Sequence, residues 1–292
     1  MAVIWPYMAL IILGCGWGLT LPLSVISVST GLGHLGIIFW QFFIVMVLFG
    51  SRQVFLKKSI SFTRSSLLIF CVIAFIGTLI PNLASLFAAL HLPGGVLSVL
   101  IATVPMFSLP IAVFLGLDRF GFQKLFGIVF GFIGVYMLIA PKAALPDPSV
   151  IWVIPIALIP PFFYGLEGNF VAKFVTGNNS PMEVIFGASV IGCIITFPLT
   201  LFFDQFVNPF VKWDAAHYAI VFSSMIHGFV YASYVWLVTK VGSVFSAQVS
   251  YFVTFAGVLW SMVILNEVHS QFIWLSLACM ILGMVLVRPK TQ

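Results

Sequence analysis

The sequence predicts an all-α polytopic membrane protein of ten transmembrane helices arranged as two inverted five-helix repeats. Three observations predict it. The 292 residues are 62% hydrophobic and 7% charged, with a mean hydropathy of +1.21, which leaves too few charges for the water-facing surface of a soluble domain of this size. The apolar residues fall into runs of about 20, the length a helix needs to cross a hydrocarbon core roughly 30 Å thick and about twice that of a barrel strand. The chain also matches itself when shifted by 148 residues.

Breaks at Gly, Pro and charge clusters set the helices in order. The first half reads Val3 to Ile26, Leu35 to Phe55, Ser65 to Leu90, Gly94 to Leu115 and Phe122 to Ala140. The second reads Ile151 to Val175, Pro181 to Phe203, Ala215 to Val238, Ser243 to Leu265 and Gln271 to Val287. The first run lacks the basic n-region of a signal peptide and exceeds an h-region in length, so it reads as a transmembrane helix. The longest connection, "PKAALPDPS" from Pro141 to Ser149, is proline-rich and lies near the midpoint. It divides the chain into residues 1–143, the first repeat, and 144–292, the second. Cys15, Cys71, Cys193 and Cys279 lie singly in separate apolar segments, without the spacing of a disulfide framework or a metal knuckle. No metal or cofactor is expected.

Lys and Arg placement sets orientation. Arg52, Lys57, Lys58, Arg64, Arg119, Lys124, Lys173, Lys240, Arg288 and Lys290 fall on one side if the N-terminus is cytoplasmic, leaving only Lys142 and Lys212 opposite. Asp147, Asp204, Asp214 and Glu267 then lie outside, and both termini are cytoplasmic. The net charge of +5 follows from this topology. No basic patch with interleaved aromatics is left for nucleic acid.

The internal match pairs "GGVLSVLIATVPMFSLPIAVFLGLDRFGFQ" with "GSVFSAQVSYFVTFAGVLWSMVILNEVHSQ". It brings Gly94 onto Gly242, Ser98 onto Ser246, Phe107 onto Phe255 and Gln123 onto Gln271. An offset of 147 pairs "WGLTLP", Trp17 to Pro22, with "YGLEGN", Tyr164 to Asn169. Five helices per half is odd, so the second copy enters the membrane from the opposite side. Inverted repeats of this kind build secondary transporters, in which the two halves exchange conformations around a central site.

These features resemble the EamA-type branch of the drug/metabolite transporter superfamily. The resemblance spans the chain and rests on the duplicated five-helix halves, the early "WG" element in "GCGWGLTLP", and the closing blocks "LGLDRFGFQKLFGIVFGFIGVYML" and "LNEVHSQFIWLSLACMILGMVLV". The family's L-G-E turn reads Leu115-Gly116-Leu117-Asp118 in one half and Leu265-Asn266-Glu267 in the other. The resemblance implies a central cavity between the halves, residence in a bacterial inner (plasma) membrane, and export or exchange of small metabolites such as amino acids.

Polar residues within the apolar runs mark the candidate site. Glu167 lies about two-thirds of the way along the sixth helix. A central acid costs roughly 2.5–3.5 kcal/mol on insertion scales, so it faces a cavity or a partner, or stays protonated. Gly165 and Gly168 beside it permit close backbone approach or local unwinding, and Asn169 adds an amide. In the eighth helix His227, Tyr231 and Tyr234 form one i, i+4, i+7 stripe, and Thr78, Asn82 and Ser85 repeat it in the third. Trp17, Thr20, Gln41, Tyr164, Gln248 and Tyr251 complete the candidates. Interhelical hydrogen bonding is the alternative reading for each polar group. The small residues Ser243, Ala247, Ser250, Thr254, Gly257 and Ser261 read as a packing seam, within the chain or across a weak homodimer, as does Gly127-x-x-x-Gly131.

Every Lys and Arg lies near a predicted helix end, which disfavours an anionic phosphorylated substrate. An acid among Trp17, Tyr164, Tyr231 and Tyr234 suits an ammonium group through ion pairing and cation-π contact. The expected function is a secondary carrier for small amphipathic metabolites, amino acids or related amines, by alternating access, with a proton as candidate coupling ion. A flippase for a lipid-linked or amphipathic substrate is the near alternative. An intramembrane enzyme is not expected, because no H-E-x-x-H, G-x-S-x-G or membrane-aspartate pair is present.

Overall fold

The computed structural model describes residues 4–55, 63–119, 121–139, 148–175, 180–269 and 271–286. Lys57, Lys58, Lys142, Asp147, Arg288 and Lys290, and the 143/144 division between halves, lie outside the described residues.

The described chain is all-helical. Eight helices are long and apolar enough to cross a membrane: α1 (Trp5–Val28), α2 (His34–Phe55), α3 (Arg64–Ala89), α4 (Gly94–Phe114), α6 (Ser149–Phe174), α7 (Pro181–Phe202), α8 (Ala215–Val241) and α9 (Ser243–Leu265). Two shorter apolar helices accompany them, α5 (Phe122–Ile139) and α10 (Gln271–Leu286). The protein is therefore an integral membrane protein.

Helix starts follow local chemistry. Thr63 accepts from Ser66 N to cap α3. Ser180 and Glu183 form a capping box on α7, and Asp214 and His217 form one on α8. Gly242, at φ 86°, makes the turn from α8 into α9, a backbone conformation open to glycine at little steric cost.

Helix interiors are less regular. Residues Ala74–Leu79 of α3 form a π-helical turn. α4 breaks at Ala102–Thr103, just before Pro105, whose missing N–H leaves a carbonyl of the preceding turn unpaired. α6 begins as a 3-10 turn over Pro148–Val153 and restarts after Leu158 with Pro160 in its first turn. α9 breaks at Ala247–Gln248 without a proline. Interrupted helices are tolerated at membrane depth where the backbone is buried in protein or lines a cavity.

Packing is reciprocal. α1 packs against α9 and α8, and α6 packs against α4 and α3. α2 meets α8 and α7, α3 meets α7, and α5 lies along α10. Glycines permit the closest crossings. A Cβ on Gly18 of α1 would lie 2.7 Å from Gly257 N and 2.9 Å from Val253 O of α9, and one on Gly165 of α6 would lie 3.0 Å from Ser108 N of α4. At one end of the bundle the Glu267 carboxylate accepts from Gly94 N at 2.8 Å and Gly95 N at 2.9 Å. It thereby satisfies the free N–H groups that open α4.

Candidate functional site

The site is built where α1, α2, α3, α4, α6, α8 and α9 converge on a central cavity. Glu167 is 2% exposed, at the cavity wall, and the Tyr231 hydroxyl donates to its Oε1. Tyr231 sits on α8, one turn from His227. The π-helical turn of α3 brings Gly77 against this pair, so that a Cβ there would meet the Tyr231 hydroxyl and lie 2.9 Å from Glu167 Oε1. π turns re-aim a helix by about one residue and recur at functional sites. Gly77, within this turn, has no side chain and so leaves room for the carboxylate–phenol pair.

Aromatic rings frame the acid. Trp17 lies 5.2 Å from Tyr234, 6.2 Å from Tyr231 and 6.1 Å from His227, centroid to centroid. Its Nε1 donates to His227 Nδ1 at 3.3 Å. Asn82 Nδ2 donates to Gln41 Oε1 at 2.6 Å across α3 and α2. The cavity holds about 100 Å³ open to water centres. One water needs roughly 10–15 Å³ by that measure, so the space suits roughly seven to ten waters or a metabolite with about as many heavy atoms.

Nine sequence-predicted residues line this cavity: Glu167, Trp17, Thr20, Gln41, Asn82, Ser85, Tyr164, His227 and Tyr234. Four others are not among its lining residues. Tyr231 lies behind Glu167. Asn169 is fully buried and knits three helices instead: its Nδ2 donates to Ser108 O at 2.9 Å, Ser108 Oγ at 3.2 Å and Gly165 O at 2.8 Å, while Ser243 Oγ donates to its Oδ1 at 2.7 Å. Tyr251 points to the other side of α9, its hydroxyl 3.2 Å from where a Gly131 Cβ would lie, within an apolar cluster containing Met106 and Val258. Gln248 is fully buried at the α9 break.

Thr78 also leaves the expected stripe, because the π turn interrupts the 3.6-residue period on which that stripe depends. Helix α6 runs unbroken from Ile159 to Phe174, so its glycines serve close approach, Gly165 to α4 and Gly168 to the Tyr234 hydroxyl. Sequence reasoning missed Ser24, Ser27, Ser223 and Ser224, which extend the polar wall. It assigned Ser250 to a packing seam, yet Ser250 lines the cavity; Thr254 and Gly257 do pack, against Ser98.

The family model of the EamA-like transporter family matches the chain twice, over residues 4–140 and 151–288. The chain belongs to the EamA-like transporter family. It is a membrane transporter of the drug/metabolite type, and the family consists of transporters rather than enzymes. Among solved structures, a crystal structure of a protein 14% identical in sequence is similar with a TM-score of 0.68, over 95% of this chain and 94% of that one. At that identity the likeness establishes the fold. No curated protein matches the chain.

Within this EamA-like fold the cavity has a direction. Its lining extends along α1 from Trp17 to Ser27 and along α3 from Asn82 to Leu86, toward the end of the bundle where both helices finish. On α8 it reaches back to Ser223, near that helix's start. Beyond Glu167 in the opposite direction, the Asn169 bonds hold α6, α4 and the start of α9 together. The lining residues thus lie toward one end of the bundle and the Asn169 bonds toward the other.

Proposed function

We propose that the protein is a secondary carrier that exports or exchanges a small amphipathic metabolite bearing an ammonium group, amino acids foremost, by alternating access. The carrying observation is one cavity walled by helices of both halves, with Glu167 beside the rings of Trp17, Tyr164 and Tyr234. A carboxylate supplies the counter-charge, and aromatic faces attract the same cation. Among the lining residues there is no Lys or Arg to receive a phosphate.

Alternating access rests on ten helices crossing the membrane as two inverted halves. The packing supports this: exchanging α1–α5 with α6–α10 turns the α1–α9 and α1–α8 contacts into α6–α4 and α6–α3, and the α2–α8 contact into α7–α3. The positive-inside pattern supports cytoplasmic termini; in a bacterial inner membrane the cavity would then open outward, with the Asn169 contacts closing the cytoplasmic side. A proton is the proposed coupling ion, carried at Glu167.

Uptake into proteoliposomes across a panel of amino acids and amines, with and without a pH gradient, tests the proposal. Saturable, competable movement of an ammonium-bearing compound that is lost in Glu167→Gln is expected. Normal transport by Glu167→Gln under every gradient, or preference for phosphorylated cargo, overturns it.

An amphipathic-lipid flippase is the second reading. It is favoured by a separate cavity of about 350 Å³ between α2 and α8, with apolar walls that include Trp40, Ile44, Ile220 and Met225. Competition by single-chain lipid amines but not by amino acids selects it.

A further inference from the structure

Two polar groups at the cavity wall have no use in an ammonium site. His227 is buried and lines the cavity. Its Nδ1 accepts from the indole of Trp17. Indole N–H only donates, so Nδ1 carries no proton and the ring is held as its Nε2–H tautomer. That Nε2 finds no hydrogen-bond partner among the described residues. Ser250, 1% exposed and lining the same cavity from α9, likewise has an unpartnered Oγ among the described residues. Buried donors without acceptors are costly and rare in folded proteins. Of the buried side-chain atoms without a partner among the described residues, these two belong to residues that line the cavity, and a ligand that accepts from them would draw both side chains toward it.

The acceptor's placement follows from the helix. His227 lies four residues before Tyr231, about 6 Å of rise toward the start of α8, and Tyr231 holds Glu167. A substrate whose ammonium sits at Glu167 therefore presents its acceptor group roughly one helical turn away. In an α-amino acid the carboxylate is one carbon from the ammonium, and a hydrogen bond at each end spans such a gap.

We propose that His227 Nε2–H, with Ser250 Oγ–H, binds the carboxylate of an α-amino acid, and that Trp17 is a positioning residue that holds the His227 tautomer. This rests on the ammonium-site reading and narrows it from amines in general to zwitterions. The rings of Trp17 and Tyr234 then face the side chain, and the cavity's size limits it to that of a small or medium amino acid.

The test compares matched pairs, each amino acid against its decarboxylated amine, in uptake by the full-length protein in proteoliposomes. Wild type should take up the amino acid at least ten-fold better than the amine. His227→Ala should remove that preference while amine uptake persists, and His227→Gln, which retains an N–H at a similar reach, should restore part of it. Ser250→Ala should lower the preference by a smaller factor. Nitrogen NMR of labelled histidine should report the Nε2–H tautomer for His227 in wild type and a tautomer mixture in Trp17→Phe.

An unchanged amino acid to amine ratio in His227→Ala and Ser250→Ala overturns the inference, as does an Nδ1–H tautomer in wild type. If wild type moves amines but not amino acids, the ammonium site stands and the carboxylate site falls. If it moves neither member of any pair, the ammonium site itself is wrong.

Discussion

The stretch Trp17–Pro22 of α1 and the stretch Tyr164–Asn169 of α6 occupy matching places in the two halves, alike at one of three positions and different at the other two. The first position, Gly18 against Gly165, is the same in kind. Gly18 lies against Ala256 and Gly257 of α9, and Gly165 against Phe107 and Ser108 of α4; the internal repeat aligns Ser108 with Ala256. The second position differs in chemistry. Thr20 Oγ1 donates to its own helix at Trp17 O, 2.7 Å away, whereas Glu167 receives Tyr231 from another helix. The third differs in function: Asn169 bonds α4 and α9, and its counterpart Pro22 has neither amide nor backbone N–H to offer. The helix packing is matched between the halves, and the buried acid lies in only one of them.

The largest effect that breaks this comparison is at its second position. Glu167→Gln keeps a side-chain acceptor for Tyr231 but removes the charge. Losing a buried charged partner costs roughly 2–5 kcal/mol, and each 1.4 kcal/mol is about ten-fold, so counterflow of an ammonium substrate should fall by about 30-fold or more. Thr20→Val should change it by less than about three-fold, because the lost hydroxyl serves only its own helix. Equal losses at both positions would remove the asymmetry from the mechanism.

The third position comes next. Asn169→Leu takes away the acceptor of Ser243 Oγ and the donor to Ser108 Oγ in a buried interior, at about 1–3 kcal/mol for each group left unsatisfied. The closed end should loosen. In a background with the native cysteines replaced, a cysteine at Val244 should react faster with a water-soluble thiol reagent in Asn169→Leu than in its parent. An unchanged rate would mean that Asn169 does not hold that end closed.

These outcomes bear on what sequence could reveal. Helix ends were legible, because Thr63, Ser180, Asp214 and Gly242 act on their own neighbours. Nine cavity residues were legible, because a polar side chain in an apolar helix must face something polar. Which partner it faces was not. Tyr251 and Gln248 share the pattern of cavity residues yet turn into the core, and the bond from Trp17 to His227 joins groups 210 residues apart. The π turn escaped notice for a related reason: "AFIGTL" carries no signal of its own, and the turn's effect is to accommodate Glu167 and Tyr231 from other helices.

The first position sharpens the comparison more finely. Alanine gains up to about 1 kcal/mol over glycine within a helix, against the cost of crowding. At Gly18 the new methyl would approach backbone atoms of α9 at 2.7 and 2.9 Å, and backbone cannot swing aside, so overpacking of about 1–3 kcal/mol dominates. At Gly165 the nearest atoms are at 3.0 and 3.1 Å, a smaller shift that the helix gain offsets. Thermal unfolding in detergent should therefore show Gly18→Ala less stable than wild type and Gly165→Ala close to it. The reverse order would mean that α6, not α1, makes the tighter crossing.

The smallest effect distinguishes the halves by acid alone. The third helix of each half, α3 and α8, starts at a capped residue, neutral Thr63 in one and Asp214 in the other. His217, through its side chain and backbone N–H, holds the Asp214 carboxyl below its ordinary value of 3.8. A depressed value in the folded state means the folded form binds the proton less readily than the unfolded one. The contribution is thus fully present above the ordinary value and is lost as pH falls below it, through the lower folded value. Hydrogen exchange corrected for its intrinsic pH dependence should show the His217 amide losing protection over that acid range, with the Ser66 amide of α3 unchanged. Asp214→Asn keeps a cap but cannot titrate, so it should abolish the difference between the two helix starts. Loss of protection at both starts together would instead mark global acid unfolding and no separate role for the Asp214 cap.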